Sequence, residues 1–375
     1  MNIPLFKVFM SPDAAPEVTK VLNSGFVGEG PKALEFSNNL KDWFGNHRIA
    51  TTNSATSAEH LALRLIKKPF GINDGDEVLA TPLTCTATNW PILANNLKIK
   101  WVDVDPTTLN MDLDDLERKI TPSTKAIFLV HWGGYPVDLD RVKKITEKCQ
   151  NLYGFKPVVI EDCAHAFGSK YKGKKIGNHG NFCTFSFQAI KHMTSVDGGM
   201  LVCPDDESFR RAKLLRWYGI DRETERTDFR CELDIPEWGY KFHMNDVMAT
   251  VGIENLKHAD RLVEAHKSNA QFYDHRLSNV EGVRLLERQE GHESAFWIYS
   301  MYVDDKPSFM RHMKDCGIAV SQVHERNDIH TCVKEFKSFL PNLDTITPNL
   351  ISIPVGWWVS DEQREYIVDC IKRGW

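Results

Sequence analysis

Short apolar runs alternate with helix-period stretches through the middle of the chain. Runs at 77–80 (EVLA), 99–104 (IKWVDV), 126–130 (AIFLV), 158–160 (VVI) and 183–187 (CTFSF) are rich in β-branched and aromatic residues and too short for helices, which predicts strands. Between them, 113–119 and 142–149 place apolar residues at helical spacing. Ahead of the first run, 57–66 (SAEHLALRLI) has the same spacing and opens on small hydroxyl residues that favour helix starts. Strands of this kind separated by helices predict an α/β fold, a mainly parallel sheet covered on both faces.

The rhythm changes near residue 245. Two long helices are expected at 245–256 and 260–277, then an apolar run at 296–303, a helix at 306–316, a strand at 319–323 and a last helix at 361–372. That is the pattern of a smaller α+β domain. The division expected is a large α/β domain over 1–250 and a small one over 251–375, and the chain of 375 residues is long enough for both.

Composition narrows the classes of function. The net charge of −5 argues against nucleic acid or an anionic membrane as a partner. No apolar run approaches the roughly 18 residues of a membrane helix. The opening MNIPLFKVFMSPDAAPEV lacks the basic segment and apolar core of a signal peptide. Nine scattered cysteines without a CxxC pair suggest a reduced, cytoplasmic protein with neither a disulfide framework nor a zinc ribbon.

In an open parallel sheet, ligands bind beyond the carboxyl ends of the strands, and three polar groups fall there. Asp162 follows the run VVI. It is either a turn or helix-capping carboxylate, or a fixed negative charge for a cationic ring nitrogen or a metal, with Cys163 and His165 as the further ligands in the last case. TNSATSA at 52–58 is either a plain N-cap or a helix start whose N–H groups hold an anion. In FSFQAIKHMTSVDGGM at 185–200, Ser186 is followed by Lys191. That lysine either snorkels to the surface or, in an apolar setting, becomes a nucleophile and base. An anion cradle, a carboxylate, a hydroxyl and a buried lysine are the parts that a phosphorylated aldehyde cofactor needs.

Several longer stretches carry a resemblance: SGFVGEGPKALEF, TNSATSAEHLAL, TPLTCTATNWPIL, VDVDPTTLNMD, VHWGGYPVDLD, IEDCAHAFGSKYKGKKIG, FSFQAIKHMTSVDGGM, WGYKFHMNDVMATVG and ISIPVGWW. In this order and nearly end to end, the chain resembles the sugar aminotransferases of the DegT/DnrJ/EryC1/StrS group. These are fold type I enzymes that depend on pyridoxal 5'-phosphate and pass through its pyridoxamine form. The resemblance implies that Lys191 links to the cofactor aldehyde and then serves as general base and acid. It implies that Asp162 pairs with the pyridinium nitrogen and His165 contacts the ring hydroxyl, that Ala55, Thr56 and Ser186 hold the phosphate, and that Lys241 reaches the phosphate of a partner subunit in a homodimer. Cys85 occupies the slot where the family commonly stacks an aromatic ring on the cofactor. His324, Arg326 and Asn327, in VSQVHERNDIH, align with a substrate-facing segment; otherwise they form a solvated charged loop. Trp132, Trp357 and Trp358 face substrate or fill the core.

The activity implied is a ping-pong transfer from L-glutamate, released as 2-oxoglutarate, to the keto group of a nucleotide-linked deoxysugar, at C4 in preference to C3, for a surface polysaccharide such as O-antigen. Relatives with histidine in the lysine slot are sugar dehydratases, and the slot here holds Lys191. A pyridoxal-phosphate dehydratase and a non-catalytic regulatory relative are the alternatives, along with a fold type I enzyme of amino acids.

Overall fold

The computed structural model describes residues 1–224, 228 and 234–375. Its main sheet has seven strands: β1 (Ile49–Thr52), β2 (Glu77–Ala80), β3 (Lys98–Trp101), β4 (Thr124–Val130), β5 (Val158–Asp162), β6 (Phe182–Ser186) and β7 (Gly199–Val202), in the order β1-β7-β6-β5-β4-β2-β3. The neighbours from β6 through β5, β4 and β2 to β3 pair in parallel, while β7 runs antiparallel to both β6 and β1. Six strands therefore end at one edge, and the loops that leave them converge there.

The apolar run of β4 reads as uninterrupted because both of its faces are covered. Ala126 and Phe128 pack into one core with Trp101 and Leu61; Ile127 and Leu129, pointing the other way, pack into a second with Leu116, Val142 and Phe185. The flanking helices are α1 (Ala14–Ser24), α2 (Pro31–Phe44), α3 (Ala55–Lys67), α4 (Thr86–Ala94), α5 (Leu113–Lys119), α6 (Leu139–Tyr153), α7 (Asp206–Leu215) and α8 (Asp246–Leu256).

A third core lies under a small antiparallel sheet of β8 (Val283–Leu285), β9 (Tyr299–Val303) and β10 (Leu350–Ile353). It is built with α9 (Ala259–Leu277), α10 (Lys306–Asp315) and α11 (Asp361–Lys372). The first residues of the chain join this unit: Ile3 donates to Gly317 O at 2.8 Å and accepts from Ala319 N at 2.9 Å. Among the described residues no helix is long and apolar enough to cross a membrane.

The strands expected at 77–80, 126–130, 158–160 and 183–187 fall on β2, β4, β5 and β6, and the last helix lies where its periodicity placed it. The run 99–104 is only half strand, because the chain leaves the sheet after Trp101 and Val104 pairs with Met111 as an isolated bridge. No strand forms at 319–323. Ser321 makes a single bridge to Ser352, and Val323 turns to φ +73°, which no extended strand tolerates.

Candidate active site

Asp162 is the last residue of β5 and is nearly inaccessible, at 5% exposure. Its Oδ1 accepts from Ala164 N at 2.9 Å and its Oδ2 from the hydroxyl of Thr88 on α4 at 2.6 Å. Since the Thr88 proton is spent on Asp162, the 2.8 Å contact between Thr88 and Thr84 has Thr84 as donor. A chain of two threonines thus fixes the carboxylate, a device absent from the sequence-derived site. Its neighbour Glu161 points to the other face. There its carboxylate meets His131 Nε2 at 2.8 Å and Asn181 Nδ2 at 2.7 Å, while His131 Nδ1 accepts from Val137 N at 3.0 Å. Cys163 Sγ donates to Glu161 O at 3.4 Å, so Cys163 and His165 do not converge with Asp162 as a ligand set.

Helix α3 starts beside this carboxylate. Ser54 caps it, its Oγ accepting from Ser57 N at 3.1 Å and its carbonyl from Ala58 N at 3.2 Å. The N–H groups of Ala55 and Thr56 are the orphans that any helix start leaves, with the positive end of the helix dipole behind them. Gly199 makes this placement possible: a Cβ there would lie 2.5 Å from Ala55 N. Ser186 is opposite Gly199 in the β6–β7 register, which brings its hydroxyl to the same helix start.

Lys191 is in the loop after β6. Its Nζ lies 3.6 Å from the ring centroid of Trp297. Burial pushes the ammonium down to about 8, against the opposing pull led by Asp162. Trp297 is held by its Nε1, which donates to Ile190 O at 2.9 Å, and it stacks on His165 at 3.9 Å and on Phe6 at 5.0 Å. His324 lies parallel to His165 at 5.5 Å. Burial, reinforced by Lys191, holds His165 well below the usual histidine range and takes His324 to about 3, so both rings are neutral. His165 Nδ1 and His324 Nε2 are buried without a hydrogen-bond partner among the described residues.

The backbone is strained around these groups. Val196, in the loop after Lys191, has φ +73°; Phe296, before Trp297, has φ +50°; Val323, before His324, has φ +73°. Branched and bulky residues avoid this region at a cost of about 1–3 kcal/mol each. Phe296 and Val323, each directly before a site residue, and Val196 in the lysine loop mark where packing overrides local preference.

The remaining expected residues are spread wider. Cys85 is half-buried at the N-cap of α4 and acts on both Lys191 and Glu59. Arg326 is held by Asp328 through two contacts of 2.7 Å and by Asp344 at 2.5 Å, and its guanidinium fork is thereby occupied. Asn327 is fully buried, accepting from Asn89 at 2.8 Å and donating to Thr84 O at 2.8 Å, which latches its loop to the stretch carrying Thr84 and Thr88. The Lys241 carbonyl accepts from Asn53 Nδ2 at 3.2 Å while its side chain is exposed. Trp132 is core, its Nε1 donating to Ser300 Oγ at 3.1 Å.

These residues fit pyridoxal phosphate. The free N–H groups of α3 and the Ser186 hydroxyl suit a phosphate, the doubly anchored carboxylate of Asp162 suits a protonated ring nitrogen, and the unpartnered His165 Nδ1 lies beside the lysine. A kinetic consequence follows from Lys191. Only its neutral amine can capture an aldehyde, so the cofactor-free chain should take up added pyridoxal phosphate about tenfold faster per pH unit until about 8, then level off. Stopped-flow growth of the visible band measures this; a rate independent of pH would mean that the amine is not shifted.

The sequence profile of the DegT/DnrJ/EryC1/StrS aminotransferase family matches residues 10–372. Among solved structures, AtS13 from Actinomadura melliaura is 49% identical with a TM-score of 0.96, the match covering 100% of this chain and 99% of that one. CalS13 from Micromonospora echinospora, a sugar aminotransferase, is 46% identical with a TM-score of 0.95 over 100% of both chains. Spr1654 from Streptococcus pneumoniae, solved in its PLP form, is 27% identical with a TM-score of 0.88, covering 100% and 98%; it has also been solved in a PMP form.

Proposed function

The chain belongs to the DegT/DnrJ/EryC1/StrS aminotransferase family, and from that premise we propose that it moves an amino group from L-glutamate to the keto group of a nucleotide-linked deoxysugar, at C4 in preference to C3. It is a transaminase of the fold type I class and its cofactor is pyridoxal phosphate. The observation that supports amino transfer at this site is Lys191: an amine shifted to about 8, set against Trp297 and two neutral histidines, within the field of Asp162.

Bound at this site, pyridoxal phosphate supplies an aldehyde to exchange for an amine and a ring that takes up negative charge. The N–H groups of Ala55 and Thr56 and the Ser186 hydroxyl hold its phosphate. Asp162 holds a proton at the ring nitrogen, which keeps the ring electron-poor. Lys191 Nζ is the base placed to take a proton from the donor's α-carbon and the acid that delivers one later, and near neutral pH it exists in both forms. His165 and His324 are uncharged, so they orient polar groups by hydrogen bonding without competing with Lys191 for the proton.

The sugar is expected to lie against His324, whose Nε2 is without a hydrogen-bond partner among the described residues. A second copy of the chain completes each site in this reading, with Lys241 directed to the partner's phosphate.

An absorption experiment tests the proposal. The visible band of the purified protein should bleach on L-glutamate and return on 2-oxoglutarate, and also on a dTDP-4-keto-6-deoxysugar, whose product would carry nitrogen at C4 by NMR. Bleaching by glutamate with no return on any nucleotide-linked keto-sugar would overturn the acceptor; no bleaching would overturn the donor.

A further inference from the structure

Glu59 has no part in the chemistry so far. It is on α3, one turn beyond Ala55, and is 1% exposed. Its Oε2 is buried without a hydrogen-bond partner among the described residues. The charges that act on it come from Asp162, Cys85 and Lys191, on three other segments and all among the residues expected at the cofactor. Burial and the neighbouring Asp162 carboxylate push Glu59 well above the usual carboxylate range, and Lys191 only partly opposes them. The side chain is therefore a neutral acid with a proton to donate.

A leucine would be far easier to bury here, because a polar group withdrawn from water is costly until it finds a partner. The described residues provide none for Oε2. Resting on the reading that this pocket takes pyridoxal phosphate, we propose that Glu59 is a further cofactor-binding residue, a neutral carboxylic acid whose missing hydrogen bond is completed by the bound cofactor.

The test uses cofactor-free full-length protein titrated with pyridoxal phosphate. Infrared difference spectra of the wild type should show the stretch of a protonated carboxyl that moves to lower frequency on binding, and this signal should be missing in Glu59→Gln. Glu59→Gln, which keeps a donor, should bind the cofactor within about threefold of the wild type; Glu59→Leu should bind about tenfold more weakly. Without cofactor, Glu59→Leu should melt above the wild type, because it removes an unsatisfied buried group. A carboxyl signal unmoved by the cofactor, or wild-type affinity in Glu59→Leu, would overturn the proposal while leaving the pocket's assignment intact. A wild type that takes up no pyridoxal phosphate would overturn both. The infrared comparison needs only the wild type and Glu59→Gln, so poor folding of the leucine variant would not blunt it.

Discussion

Lys191→Ala should lose transamination by at least about four orders of magnitude while still binding pyridoxal phosphate, now without a covalent link. The size follows from two losses at one atom. In the proposed mechanism Nζ is the nucleophile that captures the aldehyde and also the acid and base, a contribution that alone is about 10²–10⁴-fold. No nearby histidine can substitute. His165 and His324 are held neutral and well below the range in which they would exchange protons efficiently at pH 7. His192, the next residue in the chain, is buried and donates its Nε2 proton to Ala295 O at 2.9 Å, away from the pocket.

Binding should survive, because the phosphate cradle at α3 and the anchored Asp162 do not depend on the lysine. The measurement is twofold: intact mass after borohydride reduction, which should show no retained cofactor, and turnover with added small primary amines, which should restore part of the rate. Rescue by an external amine would separate loss of the nucleophile from loss of fold. Turnover near the wild-type rate would remove Lys191 from the chemistry altogether.

Much of this site was legible because its residues follow strands. Asp162 ends β5, Ser186 ends β6 and TNSATSA follows β1, so a strand pattern and the rule that ligands sit beyond carboxyl ends bring them together. Trp297 was not legible. FWIYSMYV reads as one uninterrupted apolar run, yet β9 begins only at Tyr299, and the positive φ at Phe296 sets the indole apart from the strand, beside Lys191. Thr88 lies inside a helix whose register against β5 no local pattern reveals.

Glu59 escaped for a related reason. In SAEHLALRLI it occupies what periodicity assigns to solvent, but α3 is enclosed nearly all round, with Ala58, Leu61, Ala62, Leu63, Leu65 and Ile66 also buried. Arg326 and Asn327 illustrate the reverse case. Charged and polar in a loop, they read as ligands for substrate, whereas the ion pairs with Asp328 and Asp344 and the latch to Thr84 engage both side chains within the fold.

Asp162→Asn should slow transamination by about a hundredfold to several-thousandfold, the cost of depriving a buried cation of its partner. An asparagine keeps the shape, its Oδ1 still accepting from Ala164 N and its Nδ2 donating to the Thr88 hydroxyl, whose proton then turns to Thr84, so the pocket should stay folded, but a neutral amide does not hold a proton at the ring nitrogen. The same substitution has an opposite effect on the empty site. Asp162 is the foremost group that raises the Lys191 pKa against burial, so removing its charge should move that value further below about 8. At pH 7 more of the amine is then neutral. The cofactor-free variant should capture pyridoxal phosphate faster than the wild type, with its pH profile displaced to lower pH, even as turnover of the loaded enzyme collapses. A folding defect would depress both rates, and an aspartate remote from the ring would change neither. Faster capture with slower turnover is the outcome that places one carboxylate in both roles.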